Sequence, residues 1–230
     1  VADAMRDQYL AAGISQADDY TRIPSGFDLQ PFLDAENSPT KRASLGLSPG
    51  DFVVGKIARL FELKGHDDLF AIAPRLANRI PNIRFLLVGD GVWRGRFERL
   101  AKEIGCGQNF IFTGLVPPSE IPSLVGVMDS LVHLSRREGL PRALPQAMAA
   151  AKPVVAFDCD GAGEVCLDGK TGHLIEPGDL PKLEERLAKL ANDAPLRTAL
   201  GQAGRKVVEE EFTVEQLVER QYELYKRLLA

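Results

Sequence analysis

The sequence predicts a doubly wound α/β domain, a Rossmann-like parallel sheet covered by helices on both faces. Two observations predict it. From residue 51 onward, short apolar runs alternate with segments whose apolar residues recur at helical spacing. Those runs are apolar throughout, as strands buried on both faces must be, instead of apolar at every second residue. In such a sheet ligands bind beyond the carboxyl ends of the strands, so the residues that follow each strand carry the functional reading.

The first segment, with Ala4, Met5, Tyr9 and Leu10 near helical spacing and Gly13 as a stop, reads as helix, turn and short strand. Pro24, Gly26 and Asp28 then punctuate a linker, and residues 29–50 hold no strong pattern. Strands are expected at 52–57, 83–88, 109–113, 130–134 and 153–157, with a short last one at 172–175. Helices fall between them at about 65–78, around Phe97–Ile104, at 118–127 and at 142–151. Three more close the chain at about 180–192, 195–210 and 214–229. Thr213 with Gln216 forms a capping-box start for the last. Pro74 inside the first of these helices predicts a kink or an irregular start, since an interior proline costs ~3 kcal/mol.

Composition narrows the class. The 230 residues are 45% hydrophobic and 26% charged, which is ordinary for a globular protein with a sizeable core. A net charge of −4 speaks against wholesale nucleic-acid binding. Cys106, Cys159 and Cys166 form no C-x-x-C pair and suit a reducing compartment. There is no run of ~18 apolar residues and no signal-peptide pattern. A cytoplasmic location is expected, with peripheral seating at an inner membrane face compatible with it. Because the chain begins without Met in an apparent helix, it reads as a piece of a longer protein.

Chemistry-bearing residues gather after the strands. Arg59 follows the first strand and Lys64 stands at the entry of the next helix, two cations suited to a diphosphate. After the second strand, Gly89-Asp90-Gly91 with Gly95 gives Gly-x-Gly-x-x-x-Gly, which departs from the dinucleotide fingerprint; a tight turn with glycines at positive φ explains it as well. Gly114 allows close backbone approach before Leu115. After the fourth strand, Glu138 lies on a loop, and Gly139 and Leu140 can turn backbone amides toward a ligand. Pro145 requires its helix to begin near Arg142, which brings Gln146 to the same cleft. Gly161, Gly163 and Glu164 form a Gly-rich acidic loop after the fifth strand.

The ordered set of motifs resembles glycosyltransferase family 4, retaining enzymes of the GT-B fold, over roughly residues 4–230. Ile23-Pro24-Ser25-Gly26-Phe27-Asp28 resembles the linker between the two Rossmann-like domains of that family. Gly55 through Arg59, with Lys64-Gly65, resembles its diphosphate-binding Arg and Lys. Glu138-Gly139-Leu140-Pro141 followed by Gln146-Ala147-Met148-Ala149 resembles its Glu-x7-Glu signature. Val88-Gly89-Asp90-Gly91, Phe112-Thr113-Gly114, Pro153-Val154-Val155-Ala156, Gly163-Glu164 and Asp168-Gly169 complete it.

The resemblance implies the C-terminal, donor-binding half of a glycosyltransferase. Residues 1–24 would be a remnant of the acceptor domain and linker, 25–212 the nucleotide-sugar-binding domain and 213–230 a C-terminal helix. It implies Arg59, Lys64 and Glu138 as catalytic residues. Gly89, Gly114, Leu115, Gly139, Leu140, Gln146 and Glu164 would contact the donor. No metal or other cofactor is implied; the partners are a nucleoside diphosphate sugar and an acceptor sugar, lipid or small molecule held by the missing domain. Two departures stand out: Gln146 replaces the second signature Glu, which is implied to hold ribose, and the acceptor domain is absent. Alternatives are a sugar-nucleotide epimerase of the same architecture, a non-catalytic nucleotide-binding module and an NAD-binding domain, the last disfavoured by its glycine spacing and Asp90.

Overall fold

The computed structural model describes residues 2–229. Helices α1 (Asp3–Ala11), α2 (Gln30–Leu33) and α3 (Pro39–Ser44) lead into the alternation. It runs β1 (Phe52–Ile57), α4 (His66–Arg79), β2 (Ile83–Val88), α5 (Arg94–Glu103), β3 (Phe110–Gly114), α6 (Ile121–Gly126) and β4 (Ser130–His133). Then come α7 (Ala143–Ala149), β5 (Val154–Phe157), β6 (Gly172–Ile175), α8 (Leu180–Asn192), α9 (Ala194–Glu211) and α10 (Val214–Leu229). The strands form one parallel sheet in the order β3-β2-β1-β4-β5-β6. The chain builds outward from β1 to β3, then restarts at β4 on the other side of β1. The connections leaving β1 and β4 therefore diverge to opposite faces and open a crevice between them.

Alternation within strands splits the core into two layers. Phe85 and Leu87 of β2 join Leu69, Ile72 and Leu76 of α4, Phe97 of α5 and Leu183 of α8 on one face. Leu86 and Val88 join Leu124 of α6, Leu144 and Met148 of α7 and Val208 of α9 on the other. Phe110 stacks on Phe70 at 4.1 Å and on Phe85 at 4.7 Å. Helix α4 runs from His66 to Arg79 with Pro74 inside it, and its start is irregular: Leu63 and Gly65 just before it are both left-handed. The helix buries Leu69, Phe70, Ile72, Ala73 and Leu76. At ~1.5–3 kcal/mol for each large side chain, that burial outweighs the loss of one backbone hydrogen bond.

One expectation for the first fifty residues fails: no strand follows α1, and only a single 3-10 turn at Ala17–Asp19 stands between it and Pro24. In the linker the Phe27 N–H goes to Phe212 O at 3.1 Å. Gly26 presses on the start of α10, where a Cβ would lie 2.2 Å from Thr213 O. Residues 29–50, patternless in sequence, contain α2 and α3, which at 4 and 6 residues are too short to display a helical period. Ser38 followed by Pro39 was the readable cue for α3: the Ser38 hydroxyl accepts the Lys41 N–H at 3.3 Å.

This segment is fastened by Arg42, which is 5% exposed. Its guanidinium donates to Ser48 O and Asp51 O, at 2.8 and 2.7 Å, and to Val127 O at 3.2 Å. Arg42→Met keeps the stem but strands those carbonyls, and is expected to cost about 2 kcal/mol in urea denaturation; an unchanged midpoint would mean that the bonds are not holding the segment.

The outermost helices bury little: neither α1 nor α10 contains a buried residue. The Thr213 hydroxyl accepts the Gln216 N–H at 3.1 Å, one half of the expected capping box.

Candidate functional site

The crevice at the carboxyl ends of β1 and β4 holds a cleft of about 380 Å³. Arg59, Lys64, His133, Ser135, Glu138 and Gln146 line it, with Leu140, Arg142 and Ala143 at the start of α7. A second lobe of about 540 Å³ continues past Ala58 and Arg59 to Gly89, Asp90, Leu115, Val116 and Ile121, and is mostly apolar. Five of the residues singled out in sequence (Arg59, Lys64, Glu138, Leu140 and Gln146) thus meet in the first lobe. Gly89 and Leu115 border the second.

Lys64 is aimed by its neighbours. Leu63 has φ 65, and its carbonyl accepts the Arg136 N–H at 2.8 Å. Gly65 has φ 63 and lies so close to the residue after β4 that a Cβ would fall 1.9 Å from Leu134 O. Between these two points the Lys64 Nζ reaches Glu138 Oε2 at 2.6 Å, with about a quarter of each side chain exposed. Glu138 is positioned in turn by its own N–H, which donates to Asp160 Oδ2 at 2.6 Å, and the neighbouring Gly139 O accepts from Gly161 N at 3.1 Å. Arg136 forks onto Asp68 in the first turn of α4, at 2.8 and 3.0 Å. Arg59 is exposed, its guanidinium 5.1 Å from the centre of the Phe61 ring. Helix α7 starts at Ala143, so Pro145 falls in its first turn, where a missing N–H costs nothing.

Other readings need correcting. Glu164 does not line the cleft: its carboxylate accepts the Ala4 N–H at 2.9 Å and the Arg22 Nε–H at 2.7 Å, and so ties α1 to the 160–164 turn. These bonds hold its carboxyl below the usual carboxylate range, against the opposing effect of burial. Gly139 contributes its carbonyl to the loop clasp rather than to the cleft lining. The Gly-x-Gly turn serves packing: a Cβ on Gly89 (φ 134) would meet Ala58 O at 2.3 Å, and one on Gly91 would meet Leu60 O at 2.2 Å. Asp90 accepts the Gly91 N–H at 2.7 Å and faces Arg94 at 3.2 Å. Gly114 (φ 72) makes the turn that presents Leu115, which is 85% exposed.

Sequence reading missed a group of buried polar side chains. Lys56 of β1 is 1% exposed, and burial pushes its amine down to about 7. His66 and His133, also buried, are pushed down to about 2 and about 3, by burial first and then by Lys56 and Lys64. The signal was present as a charged or titratable residue inside an apolar strand, Lys56 in β1 and His133 in β4. Among the described residues no three His, Cys, Asp or Glu side chains gather as metal ligands would, and no helix is long and apolar enough to cross a membrane.

Comparison with known proteins agrees with this geometry. A GDP-mannose-dependent alpha-(1-6)-phosphatidylinositol monomannoside mannosyltransferase of Mycolicibacterium smegmatis is 32% identical over 193 residues, 80% of this chain and 50% of the relative. A 2-deoxystreptamine glucosyltransferase of Streptomyces kanamyceticus is 31% identical over 185 residues, 78% of this chain and 46% of the relative. The chain thus spans about half the length of the curated relatives it matches. Anabaena Alr3699/HepE, solved in complex with UDP, superposes with a TM-score of 0.85 at 25% identity, covering 99% of this chain and 62% of that one. The C-terminal domain of a glycosyl transferase group 1 family protein (LpcC) from Francisella tularensis superposes with a TM-score of 0.74 at 26% identity, over 82% of this chain and all of that one. The family model of glycosyl transferases group 1 matches residues 37–207, well over half the chain. With a parallel sheet matching GT-B glycosyltransferases and a cation-lined cleft at its switch point, the chain belongs to the glycosyl transferases group 1 family.

Proposed function

We propose that this chain is the donor-binding half of a retaining family 4 glycosyltransferase that takes its sugar from a nucleoside diphosphate. The observation that carries the reading is the convergence of Arg59, Lys64, Glu138 and Gln146 on one cleft at the β1/β4 switch point. Arg59 and Lys64 grip the diphosphate and offset the charge that develops on the leaving group. Glu138 accepts from the sugar hydroxyls, with the Leu140 amide beside it. Gln146 binds ribose with a neutral amide where the family's motif has a carboxylate. The apolar lobe at Leu115 takes the base, its floor shaped by the Gly89 and Gly114 turns.

The Lys64–Glu138 ion pair gives the first step a specific character. The 2.6 Å contact masks a carboxylate that would repel a pyrophosphate beside it. The donor parts the pair: its phosphates replace Glu138 as the partner of Lys64, and its sugar replaces Lys64 as the partner of Glu138. The two cations do the work of a metal, so nucleotide affinity is expected to survive a chelator. The acceptor is held by the rest of a longer protein, which also closes over the cleft and excludes water.

Calorimetric titration of UDP and GDP tests this reading. Arg59→Ala and Lys64→Ala are each expected to cost ~2–3 kcal/mol, about thirtyfold to somewhat more than a hundredfold in affinity. Unchanged affinity for both nucleotides in either variant would remove that residue from the site. The 230-residue chain is itself expected to bind nucleotide weakly and to transfer little sugar.

A further inference from the structure

Two side chains on the cleft wall have no place in the scheme above. His133, the last residue of β4, is 6% exposed, and Ser135, two residues on, is 2% exposed; both line the lobe that holds Lys64 and Glu138. The His133 Nε2 and the Ser135 Oγ find no hydrogen-bond partner among the described residues. Buried polar atoms are seldom left unmatched, because each costs on the order of 1–3 kcal/mol. The fold tolerates two such atoms in one wall, 133 and 135 standing on the same side of an extended segment.

We infer that His133 and Ser135, together with Glu138, form a hydroxyl-reading pocket for the neutral hexose of the donor, and that they contact the sugar rather than the nucleotide. The inference rests on the donor-site reading above and extends it to two residues and to the class of group that they recognise.

Location and chemistry both point there. The His133 Nε2 lies 3.8 Å from Glu138 Oε2, on the carboxylate oxygen that also meets Lys64. A group seated against Glu138 is therefore within reach of His133. The imidazole is held neutral, pushed down to about 3 by burial and then by the ammonium groups of Lys56 and Lys64, so it offers no charge to a phosphate. Phosphate oxygens only accept hydrogen bonds, and they have Arg59 and Lys64 to receive from. A sugar hydroxyl both donates and accepts, so it can give its proton to Glu138 and still accept one from an imidazole N–H or from a serine hydroxyl. A wall of one carboxylate, one neutral imidazole and one hydroxyl, all buried or half-buried, matches adjacent hydroxyls of a hexose. It would also penalise a sugar lacking one of them, because the pocket's own polar atoms would be stranded.

The test compares matched pairs of probes on the whole 230-residue chain: UDP against UDP-glucose, and GDP against GDP-mannose, by calorimetry. Variants are Ser135→Ala, His133→Leu and His133→Gln, the last keeping a neutral amide that can donate and accept. Melting temperatures of the variants establish that each is folded. For the pair that binds, Ser135→Ala and His133→Leu are expected to weaken the nucleotide sugar three- to tenfold more than the nucleoside diphosphate. His133→Gln should recover part of that difference. Equal losses for sugar-bearing and sugar-free probes would overturn the inference and assign both residues to the nucleotide or to the fold. So would unchanged affinity for the nucleotide sugar. If the unaltered chain binds none of the four probes, the donor-site reading itself falls; if it binds them and only the differential is absent, that reading stands and the pocket does not.

Discussion

Gly65→Ala is expected to lower the stability of the chain by about 3–4 kcal/mol and to weaken nucleotide binding with it. Two costs add. The residue has φ 63, a left-handed conformation that costs an L-residue roughly 1–2 kcal/mol. The new methyl carbon would also sit 1.9 Å from Leu134 O and 2.7 Å from Leu134 Cβ. Backbone directly following central strand β4 cannot yield as a flexible side chain would, and overpacking of this kind costs about 1–3 kcal/mol. Gly105→Ala isolates the first cost, since Gly105 has φ 72 but nothing within 4 Å of its added carbon; there about 1 kcal/mol is expected. Urea denaturation of the two variants separates strain from collision. A Gly65→Ala midpoint no lower than that of Gly105→Ala would show that the contact with Leu134 is loose. The functional effect follows from position: Gly65 joins Lys64 to α4, and any retreat of that turn from Leu134 moves the ammonium away from Glu138, now 2.6 Å distant.

What was legible in sequence follows from what each signal depends on. The strands from β1 to β5 could be read because burial on both faces leaves a mostly apolar run, and α4, α8 and α9 because they are long enough to show a period. The cation pair, Glu138 and Gln146 were legible because a parallel sheet fixes where its loops meet, whatever the loops contain. Helices α2 and α3 were not, because a single turn has no period and their order depends on Arg42 reaching carbonyls as far away as Val127. Glu164 was misassigned because a Gly-rich acidic loop looks the same in sequence whether it faces a cleft or, as here, the backbone of Ala4 and the guanidinium of Arg22. The glycines at 89 and 91 were ambiguous for a related reason: the carbonyls that demand them, Ala58 O and Leu60 O, belong to a loop thirty residues earlier. Lys56, His133 and Ser135 were passed over since a polar residue within or beside an apolar strand discloses neither its depth nor what faces it.

Lys56→Met is expected to stabilise the chain by about 3–4 kcal/mol at pH 7 and to abolish one limb of its pH dependence. Burial, opposed by Asp68 and Glu138 and reinforced by Lys64, pushes the amine from its ordinary value of 10.5 down to about 7. The folded chain therefore releases this proton well before the unfolded chain does. Between about pH 7 and 10.5 the unfolded state binds the extra proton, so stability rises with pH across that window. Below about pH 7 both states are protonated and the penalty of burying the charge is present in full. A separation of some three units is worth roughly 4–5 kcal/mol at its limit, and local relaxation reduces what is measured. Methionine fills the same volume without a charge, so it removes the penalty and the slope together. His66 and His133 govern a separate window. They are neutral in the fold and protonate once unfolded, so stability falls as the pH drops below about 6.5, and the variant keeps that acid limb. Denaturation curves at pH 5 to 10 distinguish the two limbs. Wild type and variant should diverge most below about pH 7 and converge toward pH 10; a constant offset across the range would mean that Lys56 acts through packing and not through its charge.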